Sequence, residues 1–252
     1  MITFVGAGPG DPELLTIRGK KEIDGADVII WAGSLVNPEV LRDAKSTAEI
    51  HNSASMNLDE VIDVMKAGVE EGKKVVRVHT GDPSIYGAIR EQIDRLEELG
   101  IESEVIPGVS SFLATAAVLK KEYTLPSKSQ TVILTRMEGR TPVPPKEKLI
   151  DLAKHNASMV IFLSVGFMDE LTRTLKEAGY GEETPVAVVY KATWPDQKIV
   201  IGTVSNIAKK VKDEKIERTA LTVVGDFLGD EYELSKLYDK HFTTGFRKGV
   251  DE

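Results

Sequence analysis

Short apolar runs alternate with amphipathic segments through the first half of the chain. Strands are predicted at residues 2–5, 27–31, 74–79 and 104–106. Apolar residues recur on one helical face between Leu58 and Val69, preceded by the capping pair Asn57 and Glu60, and a second apolar helical face is predicted from Tyr86 to Leu96. Because strands that alternate with helices form parallel sheets, this half predicts a parallel α/β domain.

The second half is richer in predicted strands, and we expect a mixed sheet there. A polar stretch with a proline at residues 120–130 is interpreted as the linker between a domain at 1–119 and a domain at 131–228. Residues 229–252 form a polar tail. The predicted strands are 131–134, 159–163, 185–190, 199–203 and 220–224, with a hairpin connection at 190–198. The pattern therefore predicts two α/β domains.

Composition narrows the class of protein. The 252 residues include 41% hydrophobic residues, without a run long enough for a membrane span, and the chain enters a predicted strand directly after Met1, so we expect a cytoplasmic protein. With no cysteine, disulfides, thiolate metal sites and a cysteine nucleophile are excluded. The net charge of −8 argues against a nucleic-acid partner, and an anionic substrate would need a local basic patch.

Two turns of similar build are the strongest local signal. GAGPGDP at residues 6–12 and HTGDPSIYG at residues 79–87 each follow an apolar run. Asp11 and Asp82 are predicted to be helix N-caps, each followed by a proline suited to the first helical position. The glycines before them allow a ligand to approach the backbone closely. These features predict a pocket for a polar, nucleotide-like small molecule.

A dinucleotide-binding enzyme is a distant alternative. Residues 6–10 satisfy only the start of G-x-G-x-x-G, because its last glycine belongs one place later. Pro9 lacks an N–H that a pyrophosphate would use, and the second predicted strand ends at Trp31 without an acidic residue to bind a ribose.

Two more motifs, PGVSS at residues 107–111 and VVYKAT at residues 188–193, complete a set. In order and spacing over residues 1–228, the four motifs resemble those of the tetrapyrrole methylase family. Further segments resemble the subgroup that methylates carbon 11 of precorrin-4 in corrin ring (vitamin B12) biosynthesis. These are TVILTR at 131–136, EGRTPVP at 138–144, YKATWPD at 190–196 and SKLYD at 235–239.

The resemblance implies a homodimer of two-domain subunits that binds S-adenosylmethionine in the cleft between the domains and methylates a reduced tetrapyrrole. No protein metal ligands are implied. Carried over position by position, the implied cofactor contacts are Pro9, Thr80, Gly81, Asp82, Ile85, Ser110, Ser111, Leu163, Ala192 and Ala220.

Catalytic and substrate residues are less constrained by the sequence. His79, Asp11 and Tyr86 are candidates for a general base, although the substrate could lose its proton to water. Arg136, Arg140 and Lys191 are candidates for binding the carboxylate arms of a tetrapyrrole. The structural alternatives are that Asp11 and Asp82 only cap helices, that His79 and Tyr86 belong to the core, and that both arginines are solvated surface residues.

Several functions stay open at this level. Members of this family methylate other ring carbons, a diphthamide precursor or a ribosomal RNA, and a non-catalytic module that binds S-adenosylmethionine would keep the same pocket. The acidic charge disfavours RNA. The sequence does not distinguish a cobalt-containing ring from a metal-free one, and we expect the cobalt form on overall resemblance.

Overall fold

The computed structural model describes residues 1–250, and its chain divides into two compact units. The first unit comprises Met1–Val118 together with Lys191–Gln197. The second comprises Leu119–Tyr190 and the described residues from Lys198 on. The first unit thus includes the seven-residue loop that joins two strands of the second unit's sheet.

The sheet of the first unit has five parallel strands in the order β3-β2-β4-β1-β5. Apolar side chains cover both of its faces and form two clusters, one around Val5 and Ile29 and the other around Phe4 and Ile30. The strands are β1 (Ile2–Gly6), β2 (Val28–Trp31), β3 (Glu49–Asn52), β4 (Val75–His79) and β5 (Ser103–Ile106), and the helices are α1 (Ile17–Asp24), α2 (Leu58–Glu70), α3 (Ile89–Glu98) and α4 (Ser111–Leu119).

The predicted parallel sheet is confirmed, and one strand was missed. Strand β3 has the sequence EIHN and lies at the edge of the sheet, largely exposed, so it carries neither an apolar run nor a clear alternation. The capping box before α2 is present as predicted, because Asn57 and Glu60 exchange side-chain and backbone hydrogen bonds.

The second unit has a mixed sheet in the order β6-β7-β10-β8-β9, as predicted. Strands β6 and β7 are parallel, whereas β10 pairs antiparallel with both β7 and β8, and β9 pairs antiparallel with β8. The strands are β6 (Val132–Arg136), β7 (Ser158–Phe162), β8 (Pro185–Tyr190), β9 (Lys198–Thr203) and β10 (Ala220–Val224), and the helices are α5 (Leu149–Ala153), α6 (Met168–Glu177) and α7 (Ile207–Asp213).

The stretch interpreted as a linker packs within the second unit. Tyr123 is buried with its ring centroid 4.9 Å from that of Phe227, and its carbonyl accepts a hydrogen bond of 2.7 Å from Ser158 Oγ. Ser129 Oγ accepts a hydrogen bond from the Ser158 amide. Residues 120–130 are therefore held by the second sheet. Within residues 1–250, none of the helices has the length and apolarity that a membrane crossing requires.

Candidate functional site

Three turns meet at one edge of the first unit's sheet. The first turn, residues 6–12, begins at the last residue of β1, and the second turn, residues 79–87, begins at the last residue of β4. The third turn, residues 107–111, follows β5, and β1 lies between the other two strands. Because all three strands are parallel, their carboxyl ends share this edge, which is where open α/β sheets bind ligands. The structure thus brings together the three sequence motifs of the first unit.

Backbone contacts join these turns. The Gly8 amide donates to the Gly81 carbonyl at 3.2 Å, and the Gly81 amide donates to the Gly8 carbonyl at 2.9 Å. A Cβ on Gly108 would lie 2.2 Å from the Gly81 carbonyl oxygen, and one on Gly6 would lie 2.6 Å from the Gly108 nitrogen. Glycine is required at these positions because the three turns approach with backbone against backbone.

The turn at residues 6–12 is held in place, and its residues 6–10 are buried. Asp11 caps a short 3-10 helix, Pro12–Leu14, through its side chain and the Glu13 amide at 2.9 Å, and α1 begins later with Thr16 as its N-cap. Pro9 and both neighbouring glycines are buried. The predicted N-cap role of Asp11, with Pro12 at the start of the helix, is confirmed, although the helix is a three-residue 3-10 helix.

The turn at residues 79–87 differs from the prediction. Asp82 does not cap a helix, because α3 begins only at Ile89. Its carboxylate instead accepts hydrogen bonds from the Ser84 amide and hydroxyl and, at 2.9 Å, from the Gly108 amide. Burial opposes its ionisation, but these hydrogen bonds outweigh burial and lower the pKa of Asp82 below its ordinary value. Asp82 is therefore an anion that joins two turns.

Tyr86 corrects a second expectation about this turn. We placed it on the buried apolar face of a helix, but it precedes α3, has a left-handed φ of 55° and is 48% exposed. The neighbouring Ala88 also has a positive φ, of 50°. Left-handed backbone at two non-glycine residues so close together is uncommon, and such strain concentrates at functional sites.

Among the remaining predicted cofactor contacts in this unit, some are accessible and some are not. Thr80, Ile85 and Ser111 are partly exposed, whereas Gly81, Ser110 and Ala192 are buried. Ser111 begins α4. The accessible residues among these predicted contacts therefore lie on the second and third turns.

His79 ends β4 with its ring enclosed. The side chain is 4% exposed, its ring centroid lies 5.9 Å from that of Phe4, and Nε2 has no hydrogen-bond partner among the described residues. Burial, reinforced by the positive charge of Arg77, lowers the pKa of His79 to about 3. The imidazole is neutral at physiological pH and a weak base, so the structural interpretation of His79 fits better than the catalytic one.

Candidates in the second unit lie at one end of its sheet. Arg136 ends β6 opposite Phe162, Leu163 follows β7, and Ala220 begins the antiparallel β10 opposite Tyr190. Leu163 was predicted to end a strand at 159–163, but it lies outside β7, is 62% exposed and has a φ of 53°. Left-handed backbone at a leucine is strained, and such strain concentrates at functional sites.

The three cationic candidates, Arg136, Arg140 and Lys191, differ in the groups that they contact. The Arg136 guanidinium donates to the carbonyls of Met137, Thr141 and Pro142, the last at 2.7 Å, and so organises its own loop. Arg140, in that loop, is exposed. The Lys191 ammonium pairs with the Asp196 carboxylate at 2.6 Å.

Three side chains that were not among the sequence-based candidates hold the first turn. Trp194 Nε1 donates to the Pro9 carbonyl at 2.9 Å, Asn37 Nδ2 donates to the Gly10 carbonyl at 2.9 Å, and Thr193 Oγ1 accepts from the Asp11 amide at 3.0 Å. The motif YKATWPD pointed to the segment that holds Thr193 and Trp194. Nothing local in the sequence shows that these side chains bind the backbone of residues 9–11.

Within residues 1–250, no group of three or more histidine, cysteine, aspartate or glutamate side chains is arranged to hold a metal ion.

The fold places this chain in a class of two-unit α/β proteins. One unit has a parallel sheet with three glycine-containing turns at its edge, and the other has a mixed sheet. The chain belongs to the tetrapyrrole (corrin/porphyrin) methylase family, whose sequence model matches residues 1–208.

Individual relatives show which members of this family the chain is similar to. The chain is 62% identical over 248 residues to the cobalt-precorrin-4 C(11)-methyltransferase of Methanocaldococcus jannaschii, covering 98% of this chain and 96% of that protein. A crystal structure described as a cobalamin biosynthetic enzyme, cobalt precorrin-4 methyltransferase, superimposes with a TM-score of 0.89 at 46% identity and covers 91% of this chain and 96% of its own. The uroporphyrin-III C-methyl transferase of Thermus thermophilus in complex with S-adenyl homocysteine has a TM-score of 0.74 at 25% identity, with 90% and 93% covered.

Proposed function

We propose that this protein is an S-adenosylmethionine-dependent methyltransferase that methylates carbon 11 of cobalt-precorrin-4 in corrin ring biosynthesis. The observation that carries the proposal is the 62% identity to a cobalt-precorrin-4 C(11)-methyltransferase across nearly the whole length of both chains. We propose the cobalt-containing ring rather than the metal-free ring as the substrate, because the similar solved structure is also named for cobalt precorrin-4.

The residues of the second and third turns fit S-adenosylmethionine. Its ammonium group needs an anion, and the lowered pKa of Asp82 keeps that partly accessible carboxylate charged. Its carboxylate and ribose need hydroxyl or amide donors, which Thr80 and Ser111 offer, and Ile85 adds apolar surface. When bound, the cofactor supplies a methyl group on a positively charged sulfur.

The chain's own contribution to transfer is alignment rather than acid–base chemistry. Holding a reacting carbon and a methyl group in line lowers the barrier through proximity, provided that the surrounding turns do not move. His79 is neutral with a pKa of about 3, and the Asp11 carboxylate caps the 3-10 helix. Tyr86, exposed at the second turn, is the remaining candidate of the three proposed bases.

For the acceptor, we propose Arg140 as the main contact for a carboxylate arm. It is exposed on a loop that Arg136 fixes through three backbone carbonyls, so Arg136 positions this loop. Lys191 would have to exchange its Asp196 partner for a substrate carboxylate. Leu163, Ala192 and Ala220 stay predicted cofactor contacts.

The deciding experiment supplies purified protein with cobalt-precorrin-4 and S-adenosylmethionine and follows the product by mass spectrometry and NMR. One added methyl at carbon 11 supports the proposal. A methyl on another carbon reassigns the acceptor position, and tight binding of S-adenosylhomocysteine without transfer favours a non-catalytic module. Metal-free precorrin-4, assayed in parallel, tests the preference for cobalt.

Arg140→Ala tests the acceptor contact in the same assay. The exposed Arg173 on α6 provides the matched control, since Arg173→Ala removes the same charge elsewhere. We expect Arg140→Ala alone to raise the KM for the tetrapyrrole by about tenfold, as for loss of one charge-assisted hydrogen bond, with little change in kcat. Equal KM values for the two variants would remove Arg140 from the acceptor site.

We also propose that the protein acts as a cytoplasmic homodimer, with the tetrapyrrole rather than a nucleic acid or membrane as its partner. The family resemblance and the net charge of −8 support this. Sedimentation equilibrium of the purified chain tests the dimer, and a monomer at micromolar concentration would contradict it.

A further inference from the structure

Three side chains bind three consecutive residues of the first turn through their backbone groups. Trp194 Nε1 donates to the Pro9 carbonyl, Asn37 Nδ2 donates to the Gly10 carbonyl, and Thr193 Oγ1 accepts from the Asp11 amide. We call Asn37, Thr193 and Trp194 the turn clamp. All three belong to the first unit, since Lys191–Gln197 groups with it.

The turn at residues 8–10 has little rigidity of its own. Gly8 has a φ of 74°, Gly10 also lacks a side chain, and Pro9 between them has no N–H to donate. Two glycines in a three-residue turn leave many backbone conformations accessible, which costs entropy when one is selected. A single conformation therefore has to be imposed by partners outside the turn.

The turn clamp is itself built to hold one geometry. The Trp194 indole occupies the space beside Gly10, where a Cβ would lie 2.1 Å from Cδ1 of the ring. The Lys191 ammonium lies 4.8 Å from the centroid of that ring and pairs with Asp196. The Thr193 amide donates to Gln197 Oε1 at 2.7 Å, which fixes a residue whose φ is 70°. Each contact restrains the loop that carries the clamp.

The first turn is also coupled to the surface that would contact the cofactor. Gly8 exchanges two backbone hydrogen bonds with Gly81, and the next residue, Asp82, holds the Gly108 amide. The first turn is therefore held beside the second, whereas the second and third turns keep their own contact between Asp82 and the Gly108 amide when the clamp is lost. The carbonyls of Pro9 and Gly10 each accept a hydrogen bond from the clamp, which restrains the orientation of both peptide groups.

We propose that the turn clamp consists of positioning residues for methyl transfer, with Trp194 as the principal one. It holds the Pro9–Gly10 backbone where the reacting groups must align and makes no contact with the reacting atoms itself. This inference rests on the proposed function. Losing the clamp should reduce the rate of transfer much more than it weakens binding of the cofactor product.

The first test measures the turn without any ligand. In Thr193→Val the Asp11 amide loses its acceptor, and in Trp194→Phe the Pro9 carbonyl loses its donor while an aromatic ring remains. Hydrogen–deuterium exchange of the peptide spanning residues 6–15 should be faster in both variants. The matched control is Tyr180→Phe, which also removes one buried bond from an aromatic side chain to a carbonyl, that of Ala157, far along the chain. Unchanged exchange in both clamp variants overturns the proposal.

The second test separates alignment from folding. Calorimetric titration with S-adenosylhomocysteine gives the dissociation constant and the active fraction, by which kcat with cobalt-precorrin-4 is corrected. We expect Trp194→Phe to lower the corrected kcat by about tenfold and to change the dissociation constant by less than about twofold. Tyr180→Phe should keep the wild-type kcat. If Trp194→Phe and the control Tyr180→Phe lose the same corrected activity, or if Trp194→Phe loses none, the clamp has no positioning role.

Thr193→Val keeps the proposal testable if Trp194→Phe does not fold, because it removes a single hydroxyl at nearly constant volume. Failure of the proposed function has a different signature. In that case the wild-type protein itself neither binds S-adenosylhomocysteine nor transfers a methyl group. Failure of the present inference leaves the wild type active and the clamp variants equally active.

Discussion

The turns at residues 6–12 and 79–87 share the sequence Gly-Asp-Pro, yet they differ in nearly every structural respect. The first is buried over residues 6–10, leads into a 3-10 helix and is held by side chains of the turn clamp. The second remains partly accessible, is followed by strained residues before α3 and is held by the backbone of its neighbours. Two similar sequences thus form two differently restrained turns at one edge of the sheet.

The difference teaches what each aspartate and each glycine does. Asp11 caps locally through the Glu13 amide, whereas Asp82 reaches the Gly108 amide in another turn. Gly10 makes room for an indole, and Gly108 makes room for the carbonyl of Gly81. A side chain can rotate away from an added methyl group and a backbone cannot, so the two turns should respond unequally to similar substitutions.

The largest effect is expected for Gly108→Ala. Its Cβ would lie 2.2 Å from the Gly81 carbonyl oxygen and 2.8 Å from atoms of Gly6, and all of these are backbone atoms. Since three strand ends would have to separate, we expect a loss of at least about 3 kcal/mol in the free energy of unfolding, measured by urea denaturation. Gly166→Ala is the control, because its nearest neighbour would be 3.6 Å away. Similar midpoints for the two variants would contradict the backbone packing described above.

Gly10→Ala should cost less, about 2 kcal/mol, because the clashing atom belongs to Trp194. The ring can rotate away at the expense of its hydrogen bond to the Pro9 carbonyl. In the background of Trp194→Ala the same substitution should cost less by about 1 kcal/mol or more, as a double-mutant cycle in urea would show. An additive cycle would mean that the indole does not occupy this space in solution.

The pH dependence of the free energy of unfolding tests whether His79, at the start of the second turn, is buried. The pKa of His79 is about 3 in the folded protein and about 6.5 when the chain is unfolded, so only the unfolded state binds this proton between those values. The folded state therefore loses stability as pH falls below 6.5, by up to about 1.4 kcal/mol per pH unit.

Comparison with a variant isolates this contribution from other titrating groups. Between pH 7 and pH 5, the wild type should lose about 2 kcal/mol more than His79→Gln, measured by urea unfolding at each pH. His155→Gln, at an exposed position, should retain the wild-type slope. Parallel slopes for wild type and His79→Gln would show that the imidazole is not enclosed.

The smallest expected effect is the difference in stability loss between substitutions of Asp11 and Asp82. Asp11→Ala removes one local cap, with an expected cost of about 1 kcal/mol. Asp82→Ala removes the acceptor for the Gly108 and Ser84 amides, with an expected cost of about 2 kcal/mol. Asp82→Asn keeps a neutral acceptor and should lie between Asp82→Ala and the wild type in thermal unfolding. Equal costs for the two alanine variants would make the turns equivalent, as the sequence suggested.

Much of this protein could be predicted from its sequence, because the relevant signals are local. Apolar runs located nine of the ten strands in residues 1–250, and the Asn57 capping box located the start of α2. The order of glycine motifs led to the family. The edge strand β3 escaped because its exposed residues carry no hydrophobic period, and Tyr86 was misplaced because its left-handed backbone interrupts an apparent helical pattern.

Only the tertiary structure shows the surroundings of each candidate side chain. Whether His79 is a base depended on its burial beside Phe4 and Arg77, and the role of Asp82 depended on an amide 26 residues away. The turn clamp joins residues 9–11 to residues 193 and 194, whose proximity no local pattern records. The physical reason is that propensity and hydrophobic periodicity act over a few residues, whereas hydrogen bonds and desolvation depend on neighbours that the fold brings together from anywhere in the chain.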